Sequence, residues 1–125
     1  MLKDCDYCDY ETCVALKELG FNALVDWYFN EDKRIVSSLA TYRNTYIPRI
    51  SLYEAQKWFR EEKNMEVNAS IDKEEGWFAF IQRLDYPDLC GTDIFIRAYN
   101  TYEEALSEDI KEAVTILKEE DNDKK

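Results

Sequence analysis

Residues 51–71 read SLYEAQKWFREEKNMEVNASI, and this stretch decides the fold class. Ser51 and Glu54 form an S-x-x-E capping box, the signature of a helix that begins at its serine. Apolar residues then recur at helical spacing, and Asn64 suits the end of that helix. From Met65 onwards apolar and polar residues alternate, which is typical of a strand with one buried face. A helix that leads directly into a strand predicts a mixed architecture.

Two other helices carry start signals of their own. Asp9 can cap a first helix, and Gly20 can end it by adopting the left-handed conformation. Thr101 and Glu104 form a second capping box, which is followed by apolar residues at helical spacing. The predicted helices cover residues 9–19, 51–63 and 101–118.

The segments between the helices predict strands. Residues 24–37 indicate a hairpin, because strand-forming residues flank the polar turn 30–33. The segment 77–84 is apolar on both faces, which predicts a strand at the centre of its sheet, and residues 93–99 predict one more strand. The order α-β-β-α-β-β-β-α, with short turns between adjacent strands, predicts an α+β fold in which an antiparallel sheet of about five strands carries three helices.

The chain length of 125 residues fits one domain, predicted over residues 1–118 and followed by a polar, disordered tail over 119–125. Hydrophobic residues make up 46% and charged residues 34%, which is a globular composition. No apolar run approaches the roughly 18 residues of a membrane span, and the first residues lack the apolar core of a signal peptide. We therefore expect a cytoplasmic protein with no membrane partner.

The charge of the chain restricts its partners. The formal net charge is −11, from 27 acidic and 16 basic residues, and such a field repels phosphate backbones. Duplex nucleic acid is therefore not expected as a partner. Residues 51–118 follow the element order of a double-stranded-RNA-binding domain, but the last helix is acidic, with Glu108, Asp109 and Glu112 on it. That charge argues against the analogy.

One central segment has the opposite charge. Residues 34–60 carry five basic residues and one acidic residue, and several aromatic residues stand between the basic ones. Arginine and tyrosine are enriched at protein interfaces, so this segment is the predicted surface for an acidic protein partner. The candidate residues are Arg43, Tyr46, Arg49, Tyr42, Lys57 and Arg60. The alternative is that these bases neutralise acids of their own chain.

The chain has no histidine, which excludes histidine-based acid–base catalysis, Ser-His and Cys-His nucleophiles and histidine-ligated metal sites. Cys5, Cys8 and Cys13 follow a C-x2-C-x4-C pattern, and Cys90 could complete a four-cysteine zinc site. A second C-x-x-C pair is missing. We therefore interpret Cys13 as a core residue and place Cys5 and Cys8 in a loose tail, with no metal or cofactor expected.

Several short phrases resemble those of a known group of proteins. They occupy residues 16–21, 47–49, 55–61 and 101–106, in that order. The chain is similar in these phrases to an uncharacterised small-protein family of gut Bacteroidales and their phages and mobile elements, over about 10–117. The resemblance implies a bacterial or phage cytoplasm. It carries no catalytic residue, cofactor or activity over to this chain.

Three functions stay open from the sequence. The first is a small non-catalytic cytoplasmic binding or regulatory protein that engages another protein, with a homo-oligomer also possible. The second is an acidic phage-type inhibitor, or nucleic-acid mimic, of a host enzyme that handles DNA or RNA. The third is an enzyme that uses carboxylates with tyrosine and arginine. The first is favoured because it needs no catalytic residues, and none is identified.

Overall fold

A computed structural model describes residues 2–37, 45–83 and 92–123 of the chain. The helices are α1 (Tyr10–Glu18), α2 (Leu52–Glu62) and α3 (Tyr102–Asp123), and a short 3-10 turn spans Asp4–Asp6. The strands are β1 (Trp27–Phe29), β2 (Ile35–Ser37), β3 (Ile47–Pro48), β4 (Met65–Asp72), β5 (Gly76–Arg83) and β6 (Thr92–Tyr99). The α+β class, the three helices and the antiparallel pairing are as the sequence predicts.

The predicted capping residues begin the helices. At α2 the Ser51 hydroxyl accepts a hydrogen bond from the Glu54 N–H at 3.0 Å, and the Glu54 carboxylate accepts one from the Ser51 N–H at 3.2 Å. At α1 the Asp9 carboxylate accepts a bond from the Thr12 N–H at 2.8 Å. Each such cap satisfies backbone donors that the helix itself leaves unpaired, and is worth about 1 kcal/mol.

The strands form two sheets rather than the single sheet that the sequence predicts. The first has the order β2-β1-β3, and its hairpin is the one predicted over residues 24–37. The side chain of Asn30 accepts bonds from two backbone N–H groups of the turn, those of Asp32 and Arg34. Strand β3 lies in the segment 38–49, which lacks a clear periodicity and so predicts a loop, because two residues are too few to show alternation. Residues 38–44 of that segment lie outside the described part of the chain.

The second sheet has the order β4-β5-β6, so β5 is central, as predicted. The turn between β4 and β5 is held by the Asp72 carboxylate, which accepts bonds from the N–H groups of Glu74 and Glu75 at 2.8 and 3.2 Å. Gly76 completes the turn with φ +108°, a conformation that favours glycine. Helices α2 and α3 contact each other and both pack on β4.

One continuous core joins the helices to both sheets. Burying each large apolar side chain contributes about 1.5–3 kcal/mol relative to leaving it in water. The largest side chains that are fully buried are Phe59, Leu16, Ile50, Leu52, Met65, Ile81, Leu106 and Ile110. Trp58 is also buried and packs edge-on against Phe59, with ring centroids 5.1 Å apart.

Helix α3 extends beyond its predicted end at residue 118 and includes residues 119–123 of the predicted tail. Glutamate has a high helix propensity, so the polar composition of this segment does not prevent a helix. Lys118 also links α3 to α1, with its Nζ 3.6 Å from a carboxylate oxygen of Glu18. Within the described residues, none of the helices combines the length and the apolar character needed to cross a membrane.

Candidate binding groove

One of the three N-terminal cysteines, Cys8, does not lie where the sequence predicts it. Cys5 is exposed, but Cys8 is only 4% exposed, so the prediction that Cys8 belongs to a loose tail is wrong. The Cys8 N–H donates to the carbonyl of Ile50 at 2.9 Å, which ties this segment to the residue before the α2 cap. Cys13 is fully buried, as predicted. The segment is ordered because a buried side chain and a backbone bond both anchor it.

The metal hypothesis depends on Cys90, which lies outside the described residues. Over residues 2–37, 45–83 and 92–123, no group of three or more cysteine, aspartate or glutamate side chains is arranged to hold a metal ion.

The predicted basic surface is partly occupied by groups of its own chain. Arg49 forms a 2.9 Å ion pair with Asp4, and its guanidinium lies 3.8 Å from the ring centroid of Tyr7. Arg60 lies 4.0 Å from a carboxylate oxygen of Glu66, a contact at the limit of an ion pair. For Arg49 the structure therefore agrees with the alternative that the bases neutralise acids nearby.

The remaining candidates of that surface are spread over different elements. Lys57 is exposed on α2. Tyr46 is half-buried, and its carbonyl accepts a hydrogen bond from Lys17 at 2.9 Å. Tyr42 and Arg43 lie outside the described residues. Their role in binding stays a prediction.

A different surface forms where the two ends of the chain meet. The N-terminal segment, the β1–β2 hairpin and the start of α3 enclose an open groove of about 800 Å³, called the acidic groove below. Its apolar walls come from Tyr7, Phe29, Ile35 and Tyr99. Ile35 is 47% exposed, so apolar surface is accessible there.

Five carboxylates line the acidic groove, against one guanidinium, that of Arg49. The carboxylates belong to Asp4, Asp9, Glu103, Glu104 and Glu108. Lys111, on the next turn of α3, lies 3.3 Å from an oxygen of Asp9 and 3.3 Å from an oxygen of Glu108. Arg49 and Lys111 thus compensate part of this charge, and Glu103 and Glu104 add more in the first turn of α3.

Two groups beside the groove have shifted pKa values. Burial and the nearby carboxylates of Asp6 and Glu103 raise the pKa of the Tyr53 hydroxyl. Burial lowers the pKa of Lys111, but its bonds to Glu108 and Asp9 outweigh that cost and raise the pKa overall. Both shifts mean that the surroundings favour the more positive form of each group.

The sequence does not indicate this groove. Glu103 and Glu104 lie in the first turn of α3, where acidic side chains also compensate the helix dipole. The groove depends on contacts between segments distant in sequence, such as the bond from Arg49 to Asp4. No local pattern in the sequence reports such a contact.

One more carboxyl is unusual, and it lies outside the groove. Asp109 of α3 is fully buried against the sheet, where one carboxyl oxygen accepts the N–H of Asn68 at 3.0 Å. Its other oxygen has no hydrogen-bond partner among the described residues. Burial raises the pKa of Asp109 to about 8, against the lowering effect of the Asn68 and Phe80 backbone N–H groups, and Glu112 adds to the rise. The side chain is therefore a neutral acid at pH 7.

Asp109 is one of the acids that make α3 acidic in the sequence, but it does not lie on the surface of the helix. It falls between Leu106 and Ala113, at helical spacing from both, and so on the buried face. That spacing was the signal that could have identified it as a buried acid.

Comparisons with known proteins add no identification. No protein-family model matches the chain, and neither the search of curated proteins nor the search of solved structures returns a match. The site must therefore be interpreted from its own geometry.

Proposed function

We propose that this protein is a small non-catalytic binding protein, and that it holds a basic segment of another protein in the acidic groove. The observation that carries the proposal is the combination, in one open groove of about 800 Å³, of five carboxylates with aromatic walls. That volume lies within the roughly 300–1,000 Å³ typical of ligand sites.

Lysine and arginine side chains match both parts of this lining. Their aliphatic stems can pack on the Tyr99 ring and the exposed Ile35 while their charged ends reach carboxylates. The structure contains an internal example of such a contact, since Arg49 lies over the Tyr7 ring and bonds to Asp4. An incoming arginine can make the same pair of contacts with the other carboxylates.

The charge of the whole protein supports the same choice of partner. A net charge of −11 attracts a basic segment over a distance of several ångströms and accelerates association. The same charge opposes the acidic partner predicted for residues 34–60, and the pairing of Arg49 with Asp4 further reduces the positive charge available there. A cytoplasmic setting in a bacterium or its phage remains part of the proposal.

A nucleic-acid mimic is the second candidate, because it too would bind basic protein surfaces. The two candidates differ in which carboxylates contact the partner. A mimic presents a row of acids on an outer face, whereas the proposal requires those inside the groove. In a competition experiment a mimic displaces DNA from its target enzyme, and a groove binder of an unrelated basic segment does not.

The proposal is tested with a short dye-labelled peptide of alternating arginine and glycine, and fluorescence anisotropy as the measurement. In the double variant Glu103→Gln/Glu104→Gln we expect the peptide to bind about tenfold more weakly, equivalent to about 1.4 kcal/mol. The reason is the loss of two carboxylates from the lining. A matching peptide of alternating glutamate and glycine should not bind.

The matched control is Glu61→Gln/Glu62→Gln, which changes the net charge equally at exposed positions of α2. We expect less than a twofold change in its peptide affinity. Equal weakening in both double variants would reduce the interaction to non-specific attraction and contradict the groove. If instead the glutamate peptide binds, and Lys57→Glu/Arg60→Glu abolishes that binding, the basic surface over 34–60 is the partner site.

A further inference from the structure

The three N-terminal cysteines are arranged in order of depth. Cys5 is exposed and lines the acidic groove. Cys8 also lines the groove but is nearly buried, and Cys13 is fully buried on α1. A small molecule in the groove can therefore approach Cys8, whereas Cys13 is shielded from solvent.

The start of α1 brings Cys8 and Cys13 together. Asp9 is the N-cap, so Cys8 stands at the position before the cap and Cys13 at the fourth position of the helix. These are the two positions whose side chains meet in a hydrophobic staple. Both side chains belong to the buried core, and the Cys13 thiol donates a hydrogen bond to the Cys8 backbone carbonyl at 3.8 Å.

The surroundings of Cys13 favour its thiolate. The Ile50 N–H donates to the Cys13 sulfur at 3.4 Å, and the sulfur lies near the positive end of α1. A hydrogen bond between the two thiols lowers the pKa of Cys13 and raises that of Cys8, so the pair loses its first proton from Cys13. A thiolate held against a neighbouring thiol is the arrangement that thiol–disulfide exchange uses.

We propose that Cys8 and Cys13 are an oxidisable dithiol, which a low-molecular-weight disulfide entering the acidic groove converts into an intrachain disulfide. The Cys8 thiol passes its proton to the Cys13 thiolate beside it, and the resulting Cys8 thiolate attacks one sulfur of the small disulfide to form a mixed disulfide. The small thiolate that is released takes the proton back from Cys13. Cys13 then attacks the Cys8 sulfur and releases the second small thiol. The two protein thiols are oxidised, the small disulfide is reduced, and the two protons lost by the protein are taken up by the departing thiolates. This step does not depend on the proposed function of the groove.

The test uses the full chain carrying Cys5→Ser and Cys90→Ser, incubated with cystamine, a small disulfide whose two ammonium groups suit the negative charge of the groove. The expected product has lost two hydrogen atoms by intact mass and has no thiol that N-ethylmaleimide can alkylate after denaturation. Cleavage after Glu11 by a glutamate-specific protease separates the two cysteines in sequence. The peptides that contain Cys8 and Cys13 should then stay joined until a reductant is added.

The order of the two attacks is tested by removing the second thiol. With Cys13→Ser or Cys13→Ala in the same background, a cysteamine adduct should accumulate on Cys8, because no thiol remains to displace it. Cysteamine uptake by the exposed Cys5 of the wild-type chain shows that the oxidant is active. If both Cys8 and Cys13 stay alkylatable under those conditions, or if the wild-type chain forms a Cys5–Cys8 link instead, the proposal is overturned.

Discussion

The rim of the acidic groove and the interface between α3 and the second sheet each contain an aspartate, and the two have opposite surroundings. Asp9 at the rim accepts the Thr12 N–H at 2.8 Å and lies 3.3 Å from the Lys111 ammonium. Burial pushes the pKa of Asp9 up, but the bonds from Thr12 and Lys111 outweigh it, and the pKa is lowered. Asp109 has no nearby cation as a cause of its shift, and its pKa rises to about 8.

This difference shows that donors decide the charge of a carboxyl in this protein. Partial burial is tolerated at Asp9 because a helix cap and a lysine stabilise the charge. Full burial at Asp109, with one oxygen unpartnered among the described residues, favours the neutral form instead. The two regions should therefore respond in opposite directions when the pH changes, and three substitutions test this contrast.

The largest effect is expected from Asp109→Asn. Well below pH 3.8 both the folded and the unfolded chain hold the Asp109 proton, so ionisation of this group does not change the free energy of unfolding. As the pH rises from 3.8 to about 8 the unfolded chain releases the proton and the folded chain keeps it, so stability falls. Asparagine removes this dependence. The asparagine amide brings an N–H donor that has no partner, and this offsets part of the gain. We therefore expect the free energy of unfolding to rise by about 1–3 kcal/mol at pH 7.5 and to stay unchanged at pH 3.5.

Urea unfolding at the two pH values measures this gain. Asp121→Asn, at an exposed position of the same helix, is the matched control and should change stability by less than about 0.5 kcal/mol. Equal stabilities of wild type and Asp109→Asn across the whole pH range would show that the buried acid carries no cost, and the contrast with Asp9 would disappear.

A smaller effect of the opposite sign is expected from Asp9→Ala. The substitution removes the α1 cap and one partner of Lys111, so the protein should lose about 1–2 kcal/mol at pH 7. The pKa of Asp9 is lowered in the fold, so its contribution is present above the pKa of the unfolded chain and is lost as the pH falls. The loss should therefore shrink in acid, as measured by urea unfolding at pH 7 and pH 3.

Asp26→Ala, at an exposed loop position, serves as the control for Asp9→Ala. We expect it to change stability little at either pH. If Asp9→Ala lowers the free energy of unfolding equally at the two pH values, the negative charge of Asp9 does not contribute to the stability of the cap.

The smallest effect is expected from Lys111→Met. Lys111 joins Asp9 to Glu108 through two ion pairs at 3.3 Å, but its side chain is 42% exposed, so water screens both. We expect a loss of less than about 1 kcal/mol, nearly abolished in 1 M salt. Thermal unfolding at low and high salt measures it. A loss that salt does not reduce would instead indicate packing of the lysine stem.

Local signals predicted the helices and most strands correctly. The capping box at Ser51 and the alternation after Met65 each act within a few residues, and both are present in the structure. The division into two sheets was not predictable in this way, because it depends on which strands pair across long sequence separations: in the described residues, β1 pairs with β2 and β3, and β4, β5 and β6 pair among themselves. Pro48 also has no backbone N–H to donate, so residue preferences do not favour a strand at this position.

The candidate site was harder to predict than the fold. The basic residues over 34–60 were visible as a charge reversal, yet the sequence does not tell which of them meet acids of the same chain. Arg49 meets Asp4, a residue distant in sequence. The burial of Cys8 had a local signal, since Cys8 precedes the Asp9 cap and Cys13 stands at the fourth helical position, the two positions of a hydrophobic staple.

The residues that line the acidic groove are synthesised at very different times, which determines when the groove can form. Its lining begins with Asp4 and ends with Glu108, and three of its five carboxylates belong to α3. Ribosomes add residues from the N-terminus, so the hairpin, Arg49 and the first two helices all emerge before these three acids exist. Most of the negative charge of the groove is therefore added last, and the groove becomes complete only when α3 has emerged from the ribosome.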